Sequence, residues 1–121
     1  LDSLLIQTYQ NIEIILVDDG SKDNTLDVCD RYAKIDSRIV VIHQNNAGAG
    51  SARNVGFKAA TGKYVCFIDP DDIVSPNLAE DTVSAAEKNV SEVTFFNHTD
   101  FGYDNIKEET EMFRVLNLCS Y

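Results

Sequence analysis

Two spacings of hydrophobic residues alternate along the chain. Short runs of consecutive apolar residues rich in Ile and Val are typical of buried strands, and apolar residues recurring every three or four positions are typical of helices. The runs predict strands over residues 12–17, 38–43, 64–68 and 92–97. The helical spacing predicts four helices with these inward positions: Leu1, Leu4 and Leu5; Leu26, Cys29 and Ala33; Ala52, Val55, Gly56 and Ala59; and Leu78, Val83, Ala86 and Val90.

Residues that start and end helices stand between these segments. Ser21 or Asp23 is expected to cap the second helix, Gly62 to end the third, and Ser75 with Pro76 to begin the fourth. A weaker helical pattern covers residues 108–118. The regular alternation of strand and helix predicts an α/β fold with a mostly parallel sheet and helices on both faces.

Length and composition indicate one folded domain. The chain has 121 residues, of which 44% are hydrophobic and 25% charged, and this composition excludes long disorder, collagen and a disulfide scaffold. The formal net charge of −10 repels phosphate backbones, so we expect no nucleic-acid partner. No apolar run approaches the ~18 residues that cross a bilayer, so no transmembrane segment is expected.

Two further features bear on location and completeness. The three cysteines are widely spaced, which suits a reducing compartment. We therefore expect a cytoplasmic protein, located either in the cytosol or at the cytoplasmic face of a membrane. Leu1 stands inside a helical pattern without a capping residue before it. We therefore expect that residues precede this chain.

Acidic residues follow two of the predicted strands: Asp18 and Asp19 after the first, and Asp69, Asp71 and Asp72 after the third. Ligands of open α/β sheets bind at the carboxyl ends of the strands. Carboxylates gathered there would repel each other without a counter-ion, and their hard oxygens suit Mg²⁺ or Mn²⁺. The sequence thus predicts a cation at this edge of the sheet.

The segment after the third strand has two interpretations. Pro70 disfavours helical geometry at Asp69, so an extended backbone would present the oxygens of Asp69 and Asp71 on one side. The alternative is a polar turn that leads into the next helix.

Residues 18–21 and 45–56 form the second candidate region. Asp18 and Asp19 either make an acidic turn, with Gly20 at positive φ, or accept a hydrogen bond from a base or ribose. The glycines at 48 and 50 are not a dinucleotide fingerprint, because Arg53 stands where the third glycine is needed. Arg53 lies near the start of a helix, where it could meet an anion or pair with one of the aspartates.

Other polar residues give no further site. His43 and His98 have no partners at metal-binding spacing, and no serine or cysteine nucleophile with a supporting glycine turn is present. Neither histidine is assigned a role.

Four motifs in order resemble those of family 2 glycosyltransferases. They are the helix at residues 1–9, Val-Asp-Asp-Gly-Ser at 17–21, Asn-Ala-Gly at 46–48 with Ala-Arg-Asn-Val-Gly at 52–56, and Gly-Lys-Tyr at 62–64 leading to Asp-Pro-Asp-Asp at 69–72. The resemblance covers about residues 1–90. It implies a GT-A fold with a Rossmann-like nucleotide-binding sheet, in a single partial domain open at both ends. Residues 1–100 would form its nucleotide-binding part and residues 101–121 a helical tail.

The resemblance also implies an activity and site residues. The activity is inverting transfer of a sugar from a nucleotide donor, often UDP-linked, to a carbohydrate or lipid-linked hydroxyl acceptor, as in polysaccharide biosynthesis. Asp19 would contact the base with Asp18 supporting, Asp69 would bind ribose or metal, and Asp71 would bind Mg²⁺ or Mn²⁺. The resemblance also implies that Arg53 would bind the nucleotide. The acceptor-activating base is expected outside this chain, so no catalytic residue is assigned.

Two alternatives stay open at this point. A receiver domain of a signalling protein also gathers aspartates around Mg²⁺, but it needs a lysine after a later strand, where this chain has Asn97-His98-Thr99. The other alternative is a module that binds the sugar nucleotide without turnover.

Overall fold

The computed structural model describes residues 1–89 and, for the backbone alone, residues 118–120. The elements in chain order are α1 (Asp2–Leu5), β1 (Ile14–Asp19), α2 (Thr25–Ile35), β2 (Ile39–Gln44), α3 (Ala49–Ala59), α4 (Leu78–Asn89) and β3 (Leu118–Ser120). The strand expected at 92–97 lies outside the described residues. So does the helix expected at 108–118, except that Leu118 belongs to β3.

The three described strands form one parallel sheet in the order β2-β1-β3. The register of β1 and β2 runs from Ile14 opposite Ile39 to Asp19 opposite Gln44. All six residues of the central strand β1 are buried. A strand buried on both faces and paired in parallel is the arrangement that its continuous apolar run predicts.

Helices cover both faces of this sheet, as expected. Ile14 and Leu16 of β1 point into a cluster that contains Leu4 of α1, Cys29 of α2 and Ile68. Ile15 and Val17 point the other way and pack against Ala52 of α3. The small side chain of Ala52, which is wholly buried, lets α3 approach the sheet closely.

One predicted strand is wrong. Residues 64–68 have no regular secondary structure, although Ile68 is buried in the core. The two edges of β1 are taken by β2 and β3, so this segment has no free edge of the central strand to pair with. It packs through its side chains instead of through a ladder of backbone hydrogen bonds.

The first strand also lies further along the chain than predicted. β1 covers Ile14–Asp19 instead of residues 12–17, because Asp18 and Asp19 continue the pairing opposite His43 and Gln44. The fourth helix begins later than predicted: α4 starts at Leu78 and Pro76 lies in the turn before it, where the Ser75 hydroxyl accepts a hydrogen bond of 3.3 Å from the Asn77 N–H. None of the helices in residues 1–89 has the length and hydropathy needed to cross a bilayer.

Candidate functional site

Polar side chains gather where β1 and β2 end. Opposite residues in a parallel pair point to the same face of the sheet, so the register places Asp18 beside His43 and Asp19 beside Gln44. Alternation along the strand turns Asp18 toward the face covered by α2 and Asp19 toward the face covered by α3. The two neighbouring carboxylates therefore have different surroundings.

Asp18 is a buried, ionised carboxylate with two partners. It is fully inaccessible to solvent, its Oδ1 accepts the Ser21 N–H at 3.2 Å, and its Oδ2 lies 2.5 Å from Nδ1 of His43. Burial acts to raise its pKa, but the hydrogen bonds from Ser21 and His43 outweigh burial and hold the pKa below its ordinary value. Asp18 thus stays charged at neutral pH.

Asp19 holds the loop that precedes α3. Its Oδ1 accepts hydrogen bonds from Gln44 Nε2 at 2.7 Å and the Ala47 N–H at 2.8 Å, and its Oδ2 accepts the Gly48 N–H at 2.8 Å. The bond from Gln44 contributes most to a lowered pKa, followed by the bond from Ala47. These contacts fix residues 45–48 against the end of β1.

Gly20 allows the same two loops to approach closely. Its φ of 72° lies in the left-handed region, as predicted, and a Cβ at this position would stand 2.7 Å from the backbone N of Asn46. Gly48, with φ of 88°, then directs the chain into α3.

Arg53 connects α3 to the second acidic cluster. Its Nη2 lies 2.8 Å from Oδ1 of Asp69, and both side chains are partly exposed, 38% and 48% respectively. The ion pair that the sequence left as an alternative is therefore present. Because neither group is buried, the pair is open to exchange its partners for those of a ligand.

The extended geometry expected at Asp69 to Asp71 is wrong. The Asp72 N–H donates to the Asp69 carbonyl oxygen at 3.0 Å, which closes a β-turn with Pro70 and Asp71 at its central positions. Pro70 fits the first central position because its fixed φ matches that of the turn. The structure thus shows the polar turn, with the carboxylate of Asp71 exposed at its corner.

A metal ion bound by these acidic residues would have few ligands from the protein. In the part of the chain that the structure describes, no group of three or more His, Cys, Asp or Glu side chains is placed to hold a metal ion. Asp69 and Asp71 present carboxylate oxygens within one turn, and Mg²⁺ often binds through one or two carboxylates plus substrate phosphates. The two carboxylates fit that mode of binding. In the structure, Arg53 neutralises the charge of Asp69.

The sequence did not reveal His43 and Gln44 as members of this site. Each contacts an aspartate 25 positions earlier in the chain, and only the strand register brings them together. The available signal was their position at the carboxyl end of the second strand, directly before the glycine-containing loop.

Comparisons with known proteins agree on one family. The model of the family described as Glycosyl transferase family 2 matches residues 1–116. Glycosyltransferase GlyG of Streptococcus pneumoniae serotype 4 (strain ATCC BAA-334 / TIGR4) is 43% identical over 105 residues, covering 86% of this chain and 34% of its own. The uncharacterized glycosyltransferase EpsJ of Bacillus subtilis (strain 168) is 52% identical over 89 residues, or 74% of this chain and 26% of its own. The putative glycosyltransferase EpsH of the same strain is 49% identical over 86 residues, or 71% and 25%. The chain thus spans about a quarter to a third of these relatives.

Proposed function

Because the chain belongs to the family 2 glycosyltransferases, we propose that it forms the donor-binding part of an inverting glycosyltransferase. The donor is a nucleoside diphosphate sugar, with UDP as the nucleotide, and the acceptor is a hydroxyl of a carbohydrate or lipid-linked molecule. Because the chain belongs to this family, the alternative that it is a receiver domain is excluded.

The observation that supports this proposal is a chain of contacts that links three separate motifs. Asp19 at the end of β1 holds residues 45–48, which lead into α3. Arg53 of α3 then pairs with Asp69 at the turn before α4. Carboxylates, a guanidinium and the amino end of a helix thereby share the carboxyl edge of the sheet, the edge at which nucleotides bind in such folds.

Within this proposal each residue has a task. Asp19, supported by Asp18, faces the nucleoside, and Asp69 and Asp71 hold Mg²⁺ or Mn²⁺ beside the diphosphate. The bound cation would supply Lewis-acid stabilisation of the negative charge that grows on the departing diphosphate. Arg53 gives up its pairing with Asp69 and offsets part of the remaining phosphate charge.

Calorimetry of UDP binding with and without Mn²⁺ tests these assignments. Asp71→Ala is expected to abolish the Mn²⁺-dependent part of the affinity, and Asp19→Ala to weaken binding whether or not Mn²⁺ is present. Asp72→Asn is the matched control, because this side chain is exposed in the same turn and is assigned no ligand. UDP affinity that is unchanged in both Asp71→Ala and Asp19→Ala would refute the site.

The donor sugar can be identified by ligand-induced stabilisation. A ligand that binds only the folded protein raises its stability by about 2.7 kcal/mol at a hundredfold excess over Kd. Thermal unfolding in a panel of UDP-sugars and other nucleotide sugars is therefore expected to show the largest shift with the true donor.

A further inference from the structure

His43 and its contact with Asp18 have no part in the proposed function. The Asp18 carboxylate is fully buried, whereas half of the His43 side chain is exposed at the carboxyl end of β2. The imidazole is therefore the part of the pair that a ligand at this edge of the sheet can reach.

The acidity of Asp18 determines which nitrogen of His43 carries the proton. An ionised carboxylate only accepts hydrogen bonds, and the pKa of Asp18 is held below its ordinary value, so Nδ1 of His43 is the donor at 2.5 Å. In the neutral ring Nε2 is then the acceptor, and it has no hydrogen-bond partner among residues 1–89. A carboxylate behind an imidazole fixes the tautomer and orientation of the ring.

We propose that His43, oriented by Asp18, contacts the nucleoside part of the donor through Nε2. This inference rests on the proposed function and adds to it a binding residue and the role of Asp18 as the positioning residue behind it. Ribose hydroxyls and base N–H groups are donors that suit an acceptor nitrogen.

Charge favours the nucleoside over the diphosphate as the partner of His43. The negative charge of Asp18 cancels any positive charge that His43 could take up, and Asp19 adds another carboxylate at the adjacent position of β1. The pair therefore gives no net attraction for phosphate. The guanidinium of Arg53 lies instead beside Asp69, at the other acidic cluster.

The first test uses ligands that contain successive parts of UDP. His43→Ala is expected to weaken binding of uridine, UMP and UDP by the same factor, about two- to tenfold for one net hydrogen bond, and to leave pyrophosphate with Mn²⁺ unaffected. Val40→Thr is the matched control, since Val40 is exposed earlier on the same strand. A loss that grows with the number of phosphates, or no loss at all, would overturn the proposal.

The second test reads the tautomer without any ligand. At mildly alkaline pH the ¹⁵N resonances of the His43 ring, assigned by their absence in His43→Ala, are expected to show a protonated Nδ1. Asp18→Asn places an amide donor against Nδ1 and is expected to move the proton to Nε2 and to weaken uridine binding. A proton on Nε2 in the unsubstituted protein would contradict the role of Asp18.

The results distinguish failure of the proposed function from failure of the role assigned to His43. If the unsubstituted protein binds neither UDP nor uridine, the proposed function fails. If it binds both and His43→Ala binds them equally well, only the assignment of His43 fails.

Discussion

The ion pair between Asp36 and Arg38 lies next to the end of α2 and connects it to β2. Arg38 Nη2 lies 2.7 Å from Oδ2 of Asp36, Nε lies 3.0 Å from Oδ1, and the Arg38 N–H adds a third bond. The side-chain hydrogen bond from Arg38 is the main cause that lowers the pKa of Asp36 from 3.8 to about 2. A bidentate pair with this geometry is the kind of surface ion pair that contributes to stability.

Because the pKa of Asp36 is lowered by folding, the free energy of unfolding should depend on pH in the acidic range. The folded pKa of Asp36 is below the unfolded value, so its contribution is present above pH 3.8 and is lost as pH falls through about 2. Asp36→Asn is expected to lower the urea midpoint at pH 7, and the difference from the unsubstituted protein should vanish below about pH 2. Asp30→Asn, at an exposed position of α2, is the control and should show a small effect throughout. A difference of full size that persists below about pH 2 would contradict this account.

For the candidate site, the sequence pointed to residues by their type but did not reveal the contacts that they make. The sequence singled out Asp18, Asp19 and Asp69 because acidic residues follow apolar runs, and the structure places all of them at the carboxyl edge of the sheet or beside it. It gave His43 no role, because a lone histidine carries no pattern and its partner is set by strand register. Contacts between residues far apart in sequence are what local periodicity leaves undetermined.

At the scale of elements, the two loops at the end of β1 and β2 are fitted to each other. Gly20→Ala is expected to lower the free energy of unfolding by at least about 1–2 kcal/mol, because positive φ is unfavourable for alanine and its Cβ would meet Asn46. Gly50→Ala is the matched control, because a Cβ there meets nothing within 4 Å and the residue is helical. Its stability should be unchanged or raised by up to about 1 kcal/mol, as measured by urea unfolding. Equal effects of the two substitutions would contradict the close approach at Gly20.

The carboxylate of Asp19 is expected to protect two loop amides from exchange. Asp19→Ala removes the acceptors of the Ala47 and Gly48 N–H groups, so hydrogen exchange at both amides should become faster. Gln44→Ala removes a neighbouring bond to the same carboxylate but leaves both amide bonds, so it should change their exchange much less. Exchange rates at Ala47 and Gly48 that are the same in all three proteins would show that Asp19 does not hold this loop.

Some periodic elements were predicted within about two residues, but the helix expected at residues 1–9 ends at Leu5, and the strand expected at residues 64–68 is absent. The helix of residues 49–59 and the strand of residues 39–44 match their expected positions closely. The apolar run at 64–68 resembles a buried strand equally well, but burial alone does not provide a pairing partner. Since β2 and β3 occupy the edges of β1, topology decides the outcome, and topology depends on residues far away in the chain.

For the whole molecule, hydrogen bonds from Gln7 join the beginning of the described fold to its last helix. Gln7 is only 2% exposed, and its Nε2 donates to the carbonyl oxygens of Ser3 at 3.0 Å and Ser75 at 2.7 Å. Its Oε1 accepts the Ala79 N–H at 3.0 Å, at the start of α4. Three backbone groups, two of them about 70 positions away, thus depend on one buried amide.

Removing this amide is expected to destabilise the whole domain more than removing the exposed contact that the next residue, Thr8, makes with α4. Gln7→Ala leaves the Ser75 carbonyl and the Ala79 N–H without their partner in a partly buried setting, and each group loses about 1–3 kcal/mol where water does not replace the amide. Thr8→Val removes the exposed bond of 2.6 Å to Glu80, for which water substitutes readily, so its effect should stay below about 1 kcal/mol. Urea unfolding of both variants measures the difference. If Thr8→Val proves as destabilising as Gln7→Ala, the exposed contact matters as much as the buried amide in joining the segment after α1 to α4, and the ranking of polar contacts by burial fails for this fold.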